Sequence, residues 1–288
     1  MDNTLTMAAE DLASGKGSKD ENFPVASALI APRHRPVVLA FYRFARAADD
    51  VADNALVEPG TKLQMLEALR ASLEGETDEA PEGCDLRAVL QQRGLTPQHP
   101  LDLLEAFRRD VVKLRYDDWA DLMDYCRYSA APVGRFVLDV HGEDRGLWPM
   151  NDALCAALQV INHLQDCGKD RREIDRIYIP LDRLHAAGIG VEALDADTAS
   201  PALRAVIIGL ARQTMDLLDI SRPFARAIKD GRLALEVGVI QALAEDLCKL
   251  LLTRDPLSQE MHHAKARMAV LGLGAMVRTT ISRLGGRR

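Results

Sequence analysis

The sequence predicts an all-α protein, and three observations carry that expectation. Apolar residues recur three and four apart along almost the whole of the 288-residue chain. Alternating, β-branched stretches bounded by turns are scarce; the one strand-like piece is RIYIP at 176–180. The breaks between apolar runs are short and rich in Pro, Gly and charge, which leaves roughly ten helices. With 48% hydrophobic residues the chain has enough apolar surface for a substantial core. No break is long enough to serve as an interdomain linker, so residues 1–288 read as one domain, with 1–20 as a flexible N-terminal segment.

Taken in order, the chain opens on MDNTLTMAAEDLASGKG, which lacks the apolar run of a secretory signal. A break at 15–20 follows. The first strong helix is VVLAFYRFARAADDVADNAL, introduced by Arg33, His34, Arg35 and Pro36. Leu39, Tyr42, Arg46, Asp49 and Asp53 stand at steps of three or four and share a face. That face begins apolar and ends in acid. Carboxylates at a helix C-terminus oppose the macrodipole, so Asp49, Asp50 and Asp53 call for a compensating cation. A solvated face with an Arg46–Asp50 pair, worth about 0.3 kcal/mol, is the alternative.

Breaks at 74–83 and 96–100 separate the next helices. RRDVVKLRYDD then brings Asp110, Lys113, Arg115 and Tyr116. In YCRYSAAPVGRFVL (125–138), Ala130, Ala131 and Gly134 form a small-residue stripe, and Pro132 removes a backbone donor and predicts a kink. The stripe suits either the wall of an apolar pocket or close helix–helix packing. After a break at 142–149, LCAALQVINHLQDCGKD reads as one helix with Gln159, Asn162, Asp166 and Asp170 on a single face. His163 points away from Asn162 and reads as structural. Arg176 and Tyr178 follow at once in RIYIP. Breaks at 186–201 and 255–256 lead to the last helices. Beyond Glu260 there are six basic residues and no acidic one, around MAVLGLGAMV. A basic amphipathic end suits anionic lipid, and a last core helix with a frayed basic end is the alternative.

Two rows of acid set in apolar, Ala-rich sequence point to divalent metal. Mg²⁺ takes oxygen ligands, keeps several waters and bridges a few carboxylates to substrate phosphates. Two such helices facing one another would hold a metal cluster and grip a diphosphate from both sides. Arginine forks suit the phosphate oxygens; Arg46 sits one turn before Asp49, and Arg176, beside the second acidic row, is best placed. Other chemistries lose ground. A net charge of −7 argues against nucleic-acid binding. Five scattered cysteines without a C-x-x-C pair fit a reduced compartment, with neither disulfides nor zinc. No G-x-S-x-G elbow and no strand-borne G-x-G-x-x-G is present. No apolar run is long enough to span a bilayer.

The ordered motifs resemble the squalene/phytoene synthase family from about Asn22 to Leu252. RAADDVAD is similar to the family's first aspartate-rich motif, and QVINHLQDCGKD to its second. RY at 115–116, YCRYSAAPVG at 125–134 and RIYIP at 176–180 fall in the family's order. ENFPVASALIAPRHR and LQDCGKDRREIDRIYIP are most similar to the bacterial hopanoid-pathway branch. Departures at Asn22, Pro24, Val25, Ser129, Pro132 and Arg135 turn the expectation from condensation of two farnesyl diphosphates toward use of the presqualene intermediate. The resemblance implies the isoprenoid synthase fold, a helical bundle around a central apolar cavity. It implies ionisation of presqualene diphosphate and quenching by water to hydroxysqualene, with head-to-head prenyl transfer to squalene or phytoene as the alternative. Asp49, Asp50, Asp53, Asn162, Asp166 and Asp170 would hold Mg²⁺. Arg46, Arg176, Tyr178, Asn22, Gly134 and Gln159 would bind the substrate and its diphosphate. Asp49, Asp53, Asp166, Asp170 and Tyr125 would be catalytic, with Phe41, Tyr42, Phe44 and Tyr128 as further rings toward a cation. No NADPH is expected. A presqualene diphosphate synthase and a hydroxysqualene reductase would be functional partners, and the location cytoplasmic, with peripheral contact at the inner membrane face.

Overall fold

The computed structural model describes residues 29–285. The expected motif residues Asn22, Pro24 and Val25 and the basic pair Arg287 and Arg288 lie outside them. Among the described residues, regular structure is helical, with thirteen α-helices rather than ten. The excess comes from short pieces and from helices that break inside what looked like single runs. The chain divides into two compact units between Lys113 and Leu114.

The first unit contains α1 (Arg35–Asp53), α2 (Pro59–Glu74), α3 (Pro81–Arg93) and α4 (Gln98–Val112). Each of the first three starts with proline at its first or second position, where a missing N–H costs nothing. α1 packs on α3 and α4, and α2 packs on the same two helices. Val37, Phe41, Phe44, Ala48 and Val51 form the buried face of α1, Phe44 and Ala48 being wholly enclosed. Tyr42 stays half-buried. The C-terminal end of α1 receives the cation that its acidic last turn calls for: Lys62 Nζ donates to the Ala52 carbonyl at 2.9 Å.

The second unit contains α5 (Trp119–Ser129), α6 (Ala131–His141), α7 (Trp148–Gln165), α8 (Cys167–Ile174), α9 (Leu181–Ala186), α10 (Pro201–Ser221), α11 (Phe224–Ala227), α12 (Gly231–Thr253) and α13 (Lys265–Gly285). α7 is its axis and packs against α5, α6, α10 and α12. Ala157, Val160, Ile161 and Leu164 are at most 2% exposed, so truncating Ile161 to Ala would cost about 2–5 kcal/mol. Caps fix the helix starts. The Ser200 hydroxyl accepts from Leu203 N, and the Asp230 carboxylate from Arg232 N and Leu233 N. Glu143 accepts from the Lys229 and Asp230 amides at 2.8 and 2.7 Å and ties the α12 start to the end of α6.

Pro132 does break the helix, falling in the first turn of α6. Gly134 faces α7, where a Cβ would collide with Asn151 Oδ1 and Cys155 Sγ, so at this position the small-residue stripe serves close packing. The strand-like RIYIP is extended but forms no strand. It makes one parallel bridge, Arg115 to Ile177, with Ile177 N donating to Leu114 O and Leu181 N to Tyr116 O, both at 2.9 Å. The second acidic run is not one helix either. α7 ends at Gln165 and α8 begins at Cys167, with Asp166 at the joint. The i to i−4 bonds nonetheless continue, from Asp166 N to Asn162 O and from Asp170 N to Asp166 O, at 2.9 and 2.8 Å. That continuity keeps the turn spacing of Asn162, Asp166 and Asp170 across the break. All five cysteines are free thiols. No helix among the described residues is long and apolar enough to cross a membrane.

Candidate active site

In the first unit the last two turns of α1 concentrate acid around one arginine. Arg46 Nη1 lies 2.8 Å from Asp49 Oδ2, and Nη2 lies 2.7 Å from Asp50 Oδ1. Both spacings, three and four residues, are those a helix allows. Asp53 is exposed one turn further on. Asp110 of α4, 4% exposed, adds a fourth carboxylate near this group. Asp49 keeps 37% of its side-chain surface accessible, yet the surrounding protein desolvates it. Its pKa is pushed up to about 7, by burial first and then by Asp53, with Asp50 and Asp110 adding and Arg46 opposing. Asp49 and Asp50 share the Arg46 guanidinium, and Asp53 and Asp110 add repulsion at Asp49 that a cation would relieve.

Asp110 was not singled out as a site residue from the sequence, although a signal was available. It occupies the apolar face of α4 with Leu103 and Ala106, where a carboxylate is costly without a purpose.

In the second unit Gln159 and Asn162 are half-buried on α7, and Asp166 and Asp170 half-buried at and after its end. The Asp166 carboxylate has no hydrogen-bond or ion-pair partner among the described residues. An acceptor-only group of this kind is available to a metal. Among the described residues no three His, Cys, Asp or Glu side chains gather closely enough to cage an ion alone.

Beside this row lies an aromatic cluster. Tyr116, Tyr125 and Tyr178 have ring centroids 5.1–5.5 Å apart, and their side chains are almost fully buried. The Tyr125 and Tyr178 hydroxyls are 3.4 Å apart, and buried Arg176 donates from Nη1 to the Tyr178 hydroxyl at 3.3 Å. RIYIP is extended here for a geometric reason: period-two alternation points Arg176 and Tyr178 the same way. Arg115, by contrast, is occupied with the Asp175 carboxylate at 2.7 Å and with the carbonyls of Leu114 and Asp175. Tyr128 lies nearer the surface, under the Arg127 guanidinium at 5.2 Å.

His163 belongs to the same cluster. Its ring stacks on Tyr178 with centroids 3.3 Å apart, and its Nε2 meets Gln159 Nε2 at 3.1 Å. Burial first, and then the Arg176 charge, hold its pKa well below the usual histidine range, so the imidazole is neutral. Helical geometry does turn it from Asn162, but toward the cluster; the Gln159–His163 spacing of four was the available signal.

The family model for squalene/phytoene synthase matches residues 17–270. A hydroxysqualene synthase from Zymomonas mobilis is 57% identical over 94% of this chain and 91% of its own. A protein of the same name from Rhodopseudomonas palustris is 52% identical over 97% and 96%. Among solved structures, a squalene synthase from Alicyclobacillus acidocaldarius superposes with a TM-score of 0.71 at 32% identity, covering 84% of this chain and 91% of that one. A dehydrosqualene synthase superposes with a TM-score of 0.78 at 22% identity, covering 90% and 92%, and bears on the fold alone. The helices are those of the isoprenoid synthase fold. The chain belongs to the squalene/phytoene synthase family.

Proposed function

We infer that the protein converts presqualene diphosphate and water to hydroxysqualene and diphosphate. The observation that supports this most is the near-full-length identity, above 50%, to two hydroxysqualene synthases. The two units, residues 1–113 and 114–288, serve this one reaction.

Asp49, Asp50 and Asp53 on α1, and Asn162, Asp166 and Asp170 on α7 and α8, are the residues that would hold Mg²⁺. Bound there, the metal supplies Lewis-acid neutralisation of charge on the departing diphosphate. Arg46 and Arg176 add fixed positive charge for its oxygens, with Gln159 and the Tyr178 hydroxyl as neutral donors. The carbon–oxygen bond to diphosphate breaks with its electron pair leaving on oxygen. The cyclopropylcarbinyl cation rearranges and a water oxygen bonds to carbon. One water proton is lost and the hydroxyl stays on the product. Water supplies the electron pair that quenches the cation, no hydride is transferred, and the reaction as written consumes no NADPH.

The buried rings of Tyr116, Tyr125 and Tyr178 offer π faces to a cation. Keeping His163 neutral matters here, since an imidazolium stacked on Tyr178 would repel that cation. The Tyr125–Tyr178 hydroxyl pair, held by Arg176, is the polar point in this apolar cluster that suits one water.

The test is incubation of purified protein with Mg²⁺ and presqualene diphosphate in ¹⁸O-water without NADPH. Hydroxysqualene carrying one ¹⁸O is expected. Consumption of farnesyl diphosphate alone, to presqualene diphosphate, squalene or phytoene, would replace this reading with head-to-head prenyl transfer.

A further inference from the structure

Helix α13 carries an apolar stripe that the described residues leave uncovered. Val270, Leu273, Val277, Ile281 and Leu284 are 72, 63, 52, 64 and 66% exposed. At helical spacing they fall within an arc of roughly 80°. The opposite face, Gly272, Ala275 and Thr279, is the one packed on α12. Scattered apolar residues need no explanation, but five in register on one helix do.

The flanks of the stripe are basic. On one side Arg222, Arg226 and Arg278 line a hollow of about 310 Å³ between α13, α12 and the α10–α11 corner. The Arg226 and Arg278 side chains make no ion pair or hydrogen bond with the described residues. Glu245, the acid in this hollow, accepts from Gln241 Nε2 at 3.1 Å and lies 3.6 Å from Arg222. On the other side Arg232 and Arg283 line a second hollow of about 450 Å³ that has Leu284 on its wall. Asp230, the acid there, caps α12. The chain beyond Glu260 has no acidic residue.

We propose that this face docks the protein on an anionic membrane surface, with the stripe at the acyl boundary and Arg226 and Arg278 on lipid phosphates. Charge complementarity selects this occupant: an apolar stripe bordered on both sides by cations matches the order of a leaflet, greasy inside and anionic at the headgroups. One supporting point rests on the proposed function, namely that substrate and product are long isoprenoids that partition into the bilayer. The site is built from exposed side chains, so its variants leave the core and the acid rows untouched.

The experiment is co-sedimentation of the full chain with vesicles of phosphatidylcholine alone and of an equal mixture with phosphatidylglycerol, read as bound protein and not as turnover. Binding to the mixed vesicles, weakened by salt, is expected. Leu273→Ser with Ile281→Ser lowers it by more than about tenfold. Arg226→Gln with Arg278→Gln lowers it about fivefold per arginine and flattens the salt dependence. Circular dichroism melts of both variants match the parent. Equal binding to the neutral vesicles, no binding to the mixed ones, or indifference to the stripe variant overturns the proposal. So does a dimer in solution that the stripe variant dissociates, which would assign the face to a second copy. Because no substrate is used, failure here leaves the hydration assay unaffected, and the reverse.

Discussion

The two acid rows have the same residue types but different electrostatic settings. At the end of α1, Asp49 and Asp50 share the Arg46 guanidinium, and desolvation with mutual repulsion pushes Asp49 up to about 7. At the α7–α8 joint the acids are spaced by whole turns, and the Asp166 carboxylate pairs with no cation among the described residues. A DDxxD-like string therefore does not define one environment. The first row is held in place and costly to ionise; in the second, the Asp166 carboxylate has no ion-pair partner among the described residues. If both rows bind Mg²⁺, the metal has more electrostatic strain to relieve at the first.

The largest effects come from removing a ligand. Loss of outer-shell partners alone typically costs about 10–100-fold in metal sites, so Asp166→Asn or Asp49→Asn should reduce turnover by more than about a hundredfold. Steady-state rates over a Mg²⁺ titration check this. The comparison sharpens if Asp166→Asn mainly raises the Mg²⁺ requirement while Asp49→Asn also changes the pH profile. Arg46→Ala should act next most strongly. Arg46 opposes the rise in the Asp49 pKa, so its loss moves the acid limb of the rate–pH profile upward. An unmoved limb would mean that another group sets it.

How much of this could be read from the chain follows from what each signal depends on. Helix faces follow from spacing, so Arg46, Asp49, Gln159 and Asn162 were placed by the sequence. Proline chemistry located the α5–α6 break at Pro132. Asp110 was missed because its significance arises only when α4 packs on α1 and carries a carboxylate inward. The joint at Asp166 was missed because it is a local relaxation of backbone geometry in an otherwise helical sequence. His163 was read as structural because ring stacking depends on where the extended Tyr178 arrives. The extension of RIYIP without a strand reflects pairing limited to one bridge, which no propensity reports.

Smaller effects concern stability. The Asp49 pKa is raised on folding, so the folded state binds more protons than the unfolded one between the ordinary value of 3.8 and about 7. Metal-free protein should thus lose stability as pH rises through that window. Asp49→Asn should raise the metal-free melting temperature at pH 8, change it little near pH 4, and lose its advantage once Mg²⁺ is added. Asp246 has the opposite sign. Hydrogen bonds from Arg267, at 2.6 and 2.7 Å, and from His263, at 2.8 Å, hold its pKa low. Its contribution is present above the ordinary carboxylate range and fades as pH falls through the depressed value. Asp246→Asn should destabilise the neutral protein by about 1–3 kcal/mol and matter least in acid, as thermal melts across pH would record.

In the proposed reaction both acid rows act on one departing diphosphate. The direct measurement is a double-mutant cycle, following diphosphate release from presqualene diphosphate by the parent, Asp49→Asn, Asp166→Asn and the double variant at saturating Mg²⁺. Residues that work as a unit are not additive. The double variant should be about as slow as the slower single one. Losses that multiply would show two independent rows, and near-parent release from either single variant would remove that row from the chemistry.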